Sequence, residues 1–82
     1  MSPVPGFPAM PAGKLLKILE RLGYREVPDS GKGSHTWLEA ESRPRIRWAF
    51  HKRELAPIEV RNVLMQQAGL SLQEARKAVG NG

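Results

Sequence analysis

Hydrophobic residues change their spacing several times along this chain, and each change marks an element. Leu15, Ile18, Leu19 and Leu22 recur at helical intervals, with Lys14, Lys17, Glu20 and Arg21 between them. That layout puts an apolar stripe on one side of a helix and charge on the other. The helix is expected to open at Gly13 and to close at Gly23, because glycine takes the left-handed position after a helix without a Cβ clash. Ile46, Trp48 and Phe50 instead alternate with Arg45, Arg47 and Ala49, the period of two expected of a half-buried strand. Tyr24 to Val27 reads as a short strand, and Gly33 to Ala40 as another. Between them Pro28-Asp29-Ser30-Gly31 has turn chemistry, and Glu41-Ser42-Arg43-Pro44 reverses the chain again.

The helical period returns after Pro57, a residue suited to the first turn of a helix. Val60, Val63, Leu64 and Ala68 form its apolar stripe, and Gly69 ends it. Ser71-Leu72-Gln73-Glu74 is a capping box, so a short helix should run from Leu72 to about Val79. The order is α-β-β-β-α-α. It predicts an α+β fold in which a three-stranded antiparallel sheet has one face covered by helices. Pro3, Pro5, Pro8 and Pro11 give residues 1–12 a different character, that of an extended, flexible tail ahead of a single domain over 13–82.

Composition narrows the function classes. At 82 residues the chain is one small domain, with no room for a deep cofactor pocket. Thirteen Lys and Arg against eight Asp and Glu leave a net charge of +5. This suits a polyanionic partner such as nucleic acid, and equally a soluble protein with a basic surface. The absence of cysteine excludes disulfides, thiolate metal sites and thiol nucleophiles. His35 and His51 are the only imidazoles, and no carboxylate cluster joins them, so neither a metal nor another cofactor is expected. No apolar run approaches the roughly 20 residues of a membrane span, and the N-terminus lacks the layout of a signal peptide. A cytoplasmic protein is expected.

The candidate chemistry centres on Lys32-Gly33-Ser34-His35, at the start of the second strand. Histidine can act as acid or base near neutrality. Glycine allows a close backbone approach to a ligand, and serine adds a hydroxyl. His35 has two readings: a strand residue whose ring satisfies a nearby carbonyl, or a general base. On RNA a base would take the proton of a ribose 2′-OH, and cationic side chains would stabilise the charge gathering at phosphorus. Arg43, Arg45 and Arg47 recur at a spacing of two, which predicts one shared face able to track phosphates. Lys52 and Arg53 extend the basic zone. His51 reads as an acid partner, a phosphate contact or an exposed loop residue. Trp37 should share the face of His35, as core, as shielding or as a base-stacking platform.

In order, these pieces resemble the HicA family of bacterial mRNA-interferase toxins, also called YcfA-like. Three segments carry the resemblance: Lys14 to Tyr24, with its closing glycine-aromatic pair; Lys32-Gly33-Ser34-His35; and His51-Lys52-Arg53-Glu54-Leu55 followed by Val63 to Ser71. Together they span about residues 13–79. The resemblance implies a double-stranded-RNA-binding-domain-like (dsRBD-like) fold. It also implies an endoribonuclease that cleaves mRNA, with His35 at the family's active histidine, and a HicB-type antitoxin as partner. Lys32, Gly33, Ser34, Arg43, Arg45, Arg47, His51, Lys52 and Arg53 are then the candidate RNA contacts. Two departures stand out. Thr36 occupies a position where the family often has a second histidine, and Trp48-Ala49-Phe50-His51 stands where a valine-proline-x-histidine pattern is frequent. An RNA-binding module without catalysis is the alternative, and a domain that docks an acidic protein through the three arginines is a third reading.

Overall fold

The computed structural model describes residues 6–28, 35–49 and 53–80. Helix α1 spans Ala12–Arg21 and buries Leu15, Ile18 and Leu19, the apolar stripe read from the sequence. Its end is a Schellman motif. The Gly23 amide donates to the Glu20 carbonyl and the Tyr24 amide to the Leu19 carbonyl, both at 3.0 Å. Gly23 carries φ of 101°, a backbone conformation open to glycine at little cost. Tyr24 and Leu19 are both buried, at 2% and 0% exposed, and supply the hydrophobic contact that goes with this cap.

Strands β2 (Arg25–Glu26), β3 (His35–Ala40) and β4 (Arg43–Ala49) form one antiparallel sheet in the order β2-β3-β4. The chain reverses between β3 and β4 at Glu41–Ser42 alone, so Arg43 and Pro44 belong to the strand rather than to the turn. Leu38, Ile46 and Trp48 point to the helices and lie in the core with Leu15, Leu19, Tyr24, Val60 and Leu64. Helix α2 (Pro57–Asn62) continues as a π-helical segment over Val63–Gln67. The Ala68 amide reaches back five residues to the Val63 carbonyl at 2.9 Å. Val60, Leu64 and Ala68 are buried from this stretch, and Val63 is half-buried. Helix α3 (Leu72–Gly80) opens on the expected capping box: the Glu74 amide donates to Ser71 Oγ at 3.1 Å, and the Ser71 amide to Glu74 Oε1 at 3.0 Å. The α+β class and the α-β-β-β-α order with a C-terminal helix are therefore as expected.

The proline-rich segment departs from expectation. Phe7 and Met10 are 3% and 2% exposed, and Met10–Pro11 forms a short strand, β1, paired with β5 at Glu54–Leu55. The Ala12 amide donates to the Arg53 carbonyl at 2.8 Å, tying the start of α1 to the same ladder. Prolines forbid helix and weaken ladders, but they do not stop the apolar residues between them from burying. Residues 6–12 are thus part of the packed domain. Residues 1–5 lie outside the described part.

Candidate functional site

Strand register decides which side chains share the outer face of the sheet, the one opposite the helices. His35 lies across from Ala49, Thr36 from Trp48, Trp37 from Arg47 and Leu38 from Ile46. Residues directly opposite one another point the same way. Thr36, Leu38, Ile46 and Trp48 therefore face inward, and all four are buried. His35, Trp37 and Arg47 face outward, His35 and Trp37 half-buried and Arg47 exposed. Glu39 joins them from β3, and Arg25 of β2 lies opposite Glu39. Among the described residues this face is polar and cationic, with the Trp37 indole set in it.

Arg45 organises the middle of the face. Its guanidinium donates to Glu39 Oε1 from Nη2 at 2.7 Å and from Nε at 3.1 Å. The guanidinium carbon stands 5.5 Å from the centre of the Trp37 ring, within the range of a cation–π contact. The ion pair is exposed and contributes little to stability. Its geometry nevertheless fixes where a flat cation sits over the ring.

Arg43 is a correction. Ala40 pairs with Arg43 and Leu38 with Ile46, so two steps on β3 match three on β4. The extra residue is a β-bulge that places Pro44 and Arg45 against Glu39. Proline at a bulge of an edge strand forfeits no ladder hydrogen bond. The bulge reverses the parity of everything before it. Arg43 consequently shares the face of Ile46 rather than that of Arg45 and Arg47. It lines a cleft of about 400 Å³ with Ile18, Arg21, Leu22, Leu70, Glu74 and Lys77. Tyr24 anchors this end of the strand, its hydroxyl donating to the Pro44 carbonyl at 2.7 Å. Burial raises the Tyr24 pKa above 10.0, with the Arg43 charge opposing. Hydrogen bonds from the Ser71 backbone and hydroxyl lower that of Glu74.

The structure thus brings together His35, Arg45 and Arg47 among the residues singled out from the sequence, and sends Arg43 elsewhere. Arg53 is exposed beside β5. Lys32, Gly33, Ser34, His51 and Lys52 lie outside the described residues. Arg25 and Glu39 were not anticipated on this face; a strand pairing at Arg25 was the signal needed to place them. Trp37 shares the face of His35, as expected, and is not in the core. Among the described residues no group of three or more His, Cys, Asp or Glu is placed to hold a metal ion, and no helix is long and apolar enough to cross a membrane.

The position of Thr36 explains how a departure from the family pattern is accommodated. Thr36 is 6% exposed and turned inward beside Trp48, so a residue there does not share the face of His35. Comparison with known proteins agrees with the resemblance. The family model described as the HicA toxin of bacterial toxin–antitoxin systems matches residues 12–70. No curated protein and no solved structure matches the chain. The match covers most of the chain, and the protein belongs to the HicA toxin family. It is the toxin component of a toxin–antitoxin system, with a cognate antitoxin as partner. The match ends just before α3, short of the reach to residue 79 suggested by the motifs.

Proposed function

We propose that this member of the HicA toxin family is an endoribonuclease that cleaves mRNA in the cytoplasm, with His35 as general base. The observation that supports it best is the outer sheet face, where His35 lies on the same side as Arg47 and Arg45. His35 takes the proton of a ribose 2′-OH. The 2′-oxygen then attacks the adjacent phosphorus, and the bond from phosphorus to the 5′-oxygen breaks as the leaving oxygen takes a proton. The products are a 2′,3′-cyclic phosphate and a 5′-hydroxyl. Arg47 and Arg45 hold the phosphates and stabilise the charge that builds on the phosphoryl oxygens. Lys32, Gly33, Ser34, Lys52 and Arg53 are further candidate contacts, and His51 is a candidate proton donor to the leaving oxygen. The chemistry calls on neither a metal nor a protein nucleophile. A HicB-type antitoxin would silence the toxin by covering this face.

The test is cleavage of an mRNA in the presence of a chelator by wild type and His35→Ala. A positioned histidine contributes about 10²–10⁴-fold, so the variant should lose at least a hundredfold in rate, and wild-type fragments should end in 2′,3′-cyclic phosphate. Equal cleavage by the two proteins removes His35 from the reaction. Salt-sensitive binding that leaves RNA intact would instead favour a non-catalytic RNA-binding module, for which the same cationic face suffices.

A further inference from the structure

Trp37 sits on the outer face, two strand positions from His35, with Arg47 directly across from it. A core tryptophan would lie on the other face, as Trp48 does at 5% exposed. Trp37 instead remains half-buried, on the face where, among the described residues, Arg25, Arg45 and Arg47 stand with a single carboxylate, Glu39. Its ring already accepts a flat, delocalised partner, the Arg45 guanidinium 5.5 Å from its centre. A nucleobase is another flat π partner of the kind that stacks on exposed aromatics. Two strand steps cover about 7 Å, which is the reach of a single stretched nucleotide. A base on Trp37 would therefore bring a neighbouring sugar-phosphate to His35.

We propose that Trp37 is the stacking subsite for an unpaired RNA base, which makes the substrate single-stranded at the point of engagement. The proposal rests on the ribonuclease reading of the same face and gives it a substrate class. The base takes the place of the Arg45 guanidinium over the ring, and Arg45 turns to a phosphate of the bound strand. Bases within a duplex are stacked on their own neighbours and paired across the helix, so a duplex cannot lay one flat on Trp37 without unpairing it. The ring therefore selects single strands, while the arginines supply contacts that both forms of RNA can use.

The test uses the wild-type protein and a short 2′-O-methyl RNA, which lacks the attacking hydroxyl and stays intact. Trp37 and Trp48 are the only tryptophans, and only Trp37 faces outward, so quenching of emission reports on the proposed site. The single strand is expected to quench emission and to bind at least tenfold more tightly than the same sequence as a duplex. Trp37→Leu keeps apolar bulk without a ring and should weaken single-strand binding about tenfold or more, the scale of one lost base stack. Trp37→Phe keeps a ring and should stay within about threefold of wild type. The slope of affinity against salt should not change in either variant, because a stack neutralises no phosphate. Binding by Trp37→Leu equal to wild type, or equal quenching by the duplex, overturns the proposal. If that happens while ordinary RNA is still cut in a His35-dependent way, the ribonuclease reading stands without the subsite. If RNA stays intact while Trp37-dependent quenching persists, the subsite stands and the ribonuclease reading falls.

Discussion

Trp37 and Trp48 lie one residue off from direct opposition in the same pair of strands, and their surroundings have almost nothing in common. Trp48 is inward, 5% exposed and packed among Leu, Ile and Val side chains. Trp37 is outward, half-buried and covered by an arginine. The difference follows from the pleat, which sends neighbouring residues to opposite faces. One face of this sheet is therefore constrained by packing, and the other is left to chemistry. Substitutions should sort the same way, into those that cost stability and those that cost RNA binding. The largest separation is expected at the tryptophans themselves. Trp48→Ala removes a buried aromatic at about 3–5 kcal/mol, a large part of the roughly 5–15 kcal/mol that holds a domain together. It should lower the thermal midpoint steeply or leave the chain unfolded. Trp37→Ala should cost about 1 kcal/mol or less while weakening RNA binding. Similar losses of stability in the two variants, read by thermal or urea denaturation, would erase the distinction between the faces.

Tyr24 tests the device that separates the two faces at the far end of β4. Its hydroxyl holds the Pro44 carbonyl at the bulge, and the bulge turns Arg43 to the helix side. Tyr24→Phe should cost about 1 kcal/mol, the net worth of one hydrogen bond with its partner left behind. The pKa of Tyr24 is raised by burial, so the folded state holds the phenolic proton more tightly than the unfolded state does. Its contribution to stability is complete below pH 10.0 and is lost as pH rises from there through the higher folded value. Denaturation followed across that alkaline range should show this decline in wild type and a flatter profile in Tyr24→Phe. Because Tyr24 is the only tyrosine, the absorbance of its ionisation can be followed directly. A phenol that ionises at the ordinary value in the folded protein would contradict the buried anchor.

Much of this architecture is legible in the residues, and the failures have identifiable causes. Leu15, Ile18 and Leu19, closed by Gly23, make α1 readable, and Ser71 with Glu74 does the same for α3. These are local signals, carried by residues three or four apart. The ladder between Met10–Pro11 and Glu54–Leu55 was not legible because a two-residue strand has no period to detect. Burial of Phe7 and Met10 likewise depends on packing into a core drawn from distant parts of the chain. At the candidate site, the shared face of His35, Trp37 and Arg47 follows from simple alternation, whereas Arg43 breaks it. Pro44 was the available clue: a proline inside a strand pattern signals a bulge or an edge, and here it marks both. A charge spacing of two implies one face only while the ladder stays regular.

The turn joining β3 to β4 is a smaller lever on the same register. Ser42 adopts φ of 62°, a left-handed conformation that costs an L-residue roughly 1–2 kcal/mol. Ser42→Gly relieves that cost but makes the unfolded chain more flexible, by roughly 0.5–1 kcal/mol. The variant should therefore gain up to about 1 kcal/mol in urea denaturation, with RNA binding unchanged because both faces stay as they are. A loss of stability would mean that the Ser42 side chain does more at the turn than its backbone costs.

Glu39→Gln should have the smallest effect on stability and opposite signs on the two readouts. The Arg45–Glu39 pair is exposed, with side chains 59% and 46% accessible, and such pairs are worth about 0–1 kcal/mol. Denaturation should accordingly move little. RNA affinity should rise, since the substitution removes the carboxylate that holds Arg45 and the negative charge that opposes phosphate. Because Arg45 already meets a phosphate of the bound strand in wild type, the dependence of log affinity on log salt should stay close to the wild-type slope. The inner face offers no comparable position, because every change there is felt first as packing. Weaker RNA binding by Glu39→Gln would show that the ion pair presents Arg45 to the RNA instead of withholding it, and the outer face would have to be understood as prearranged, with the carboxylate as part of its binding geometry.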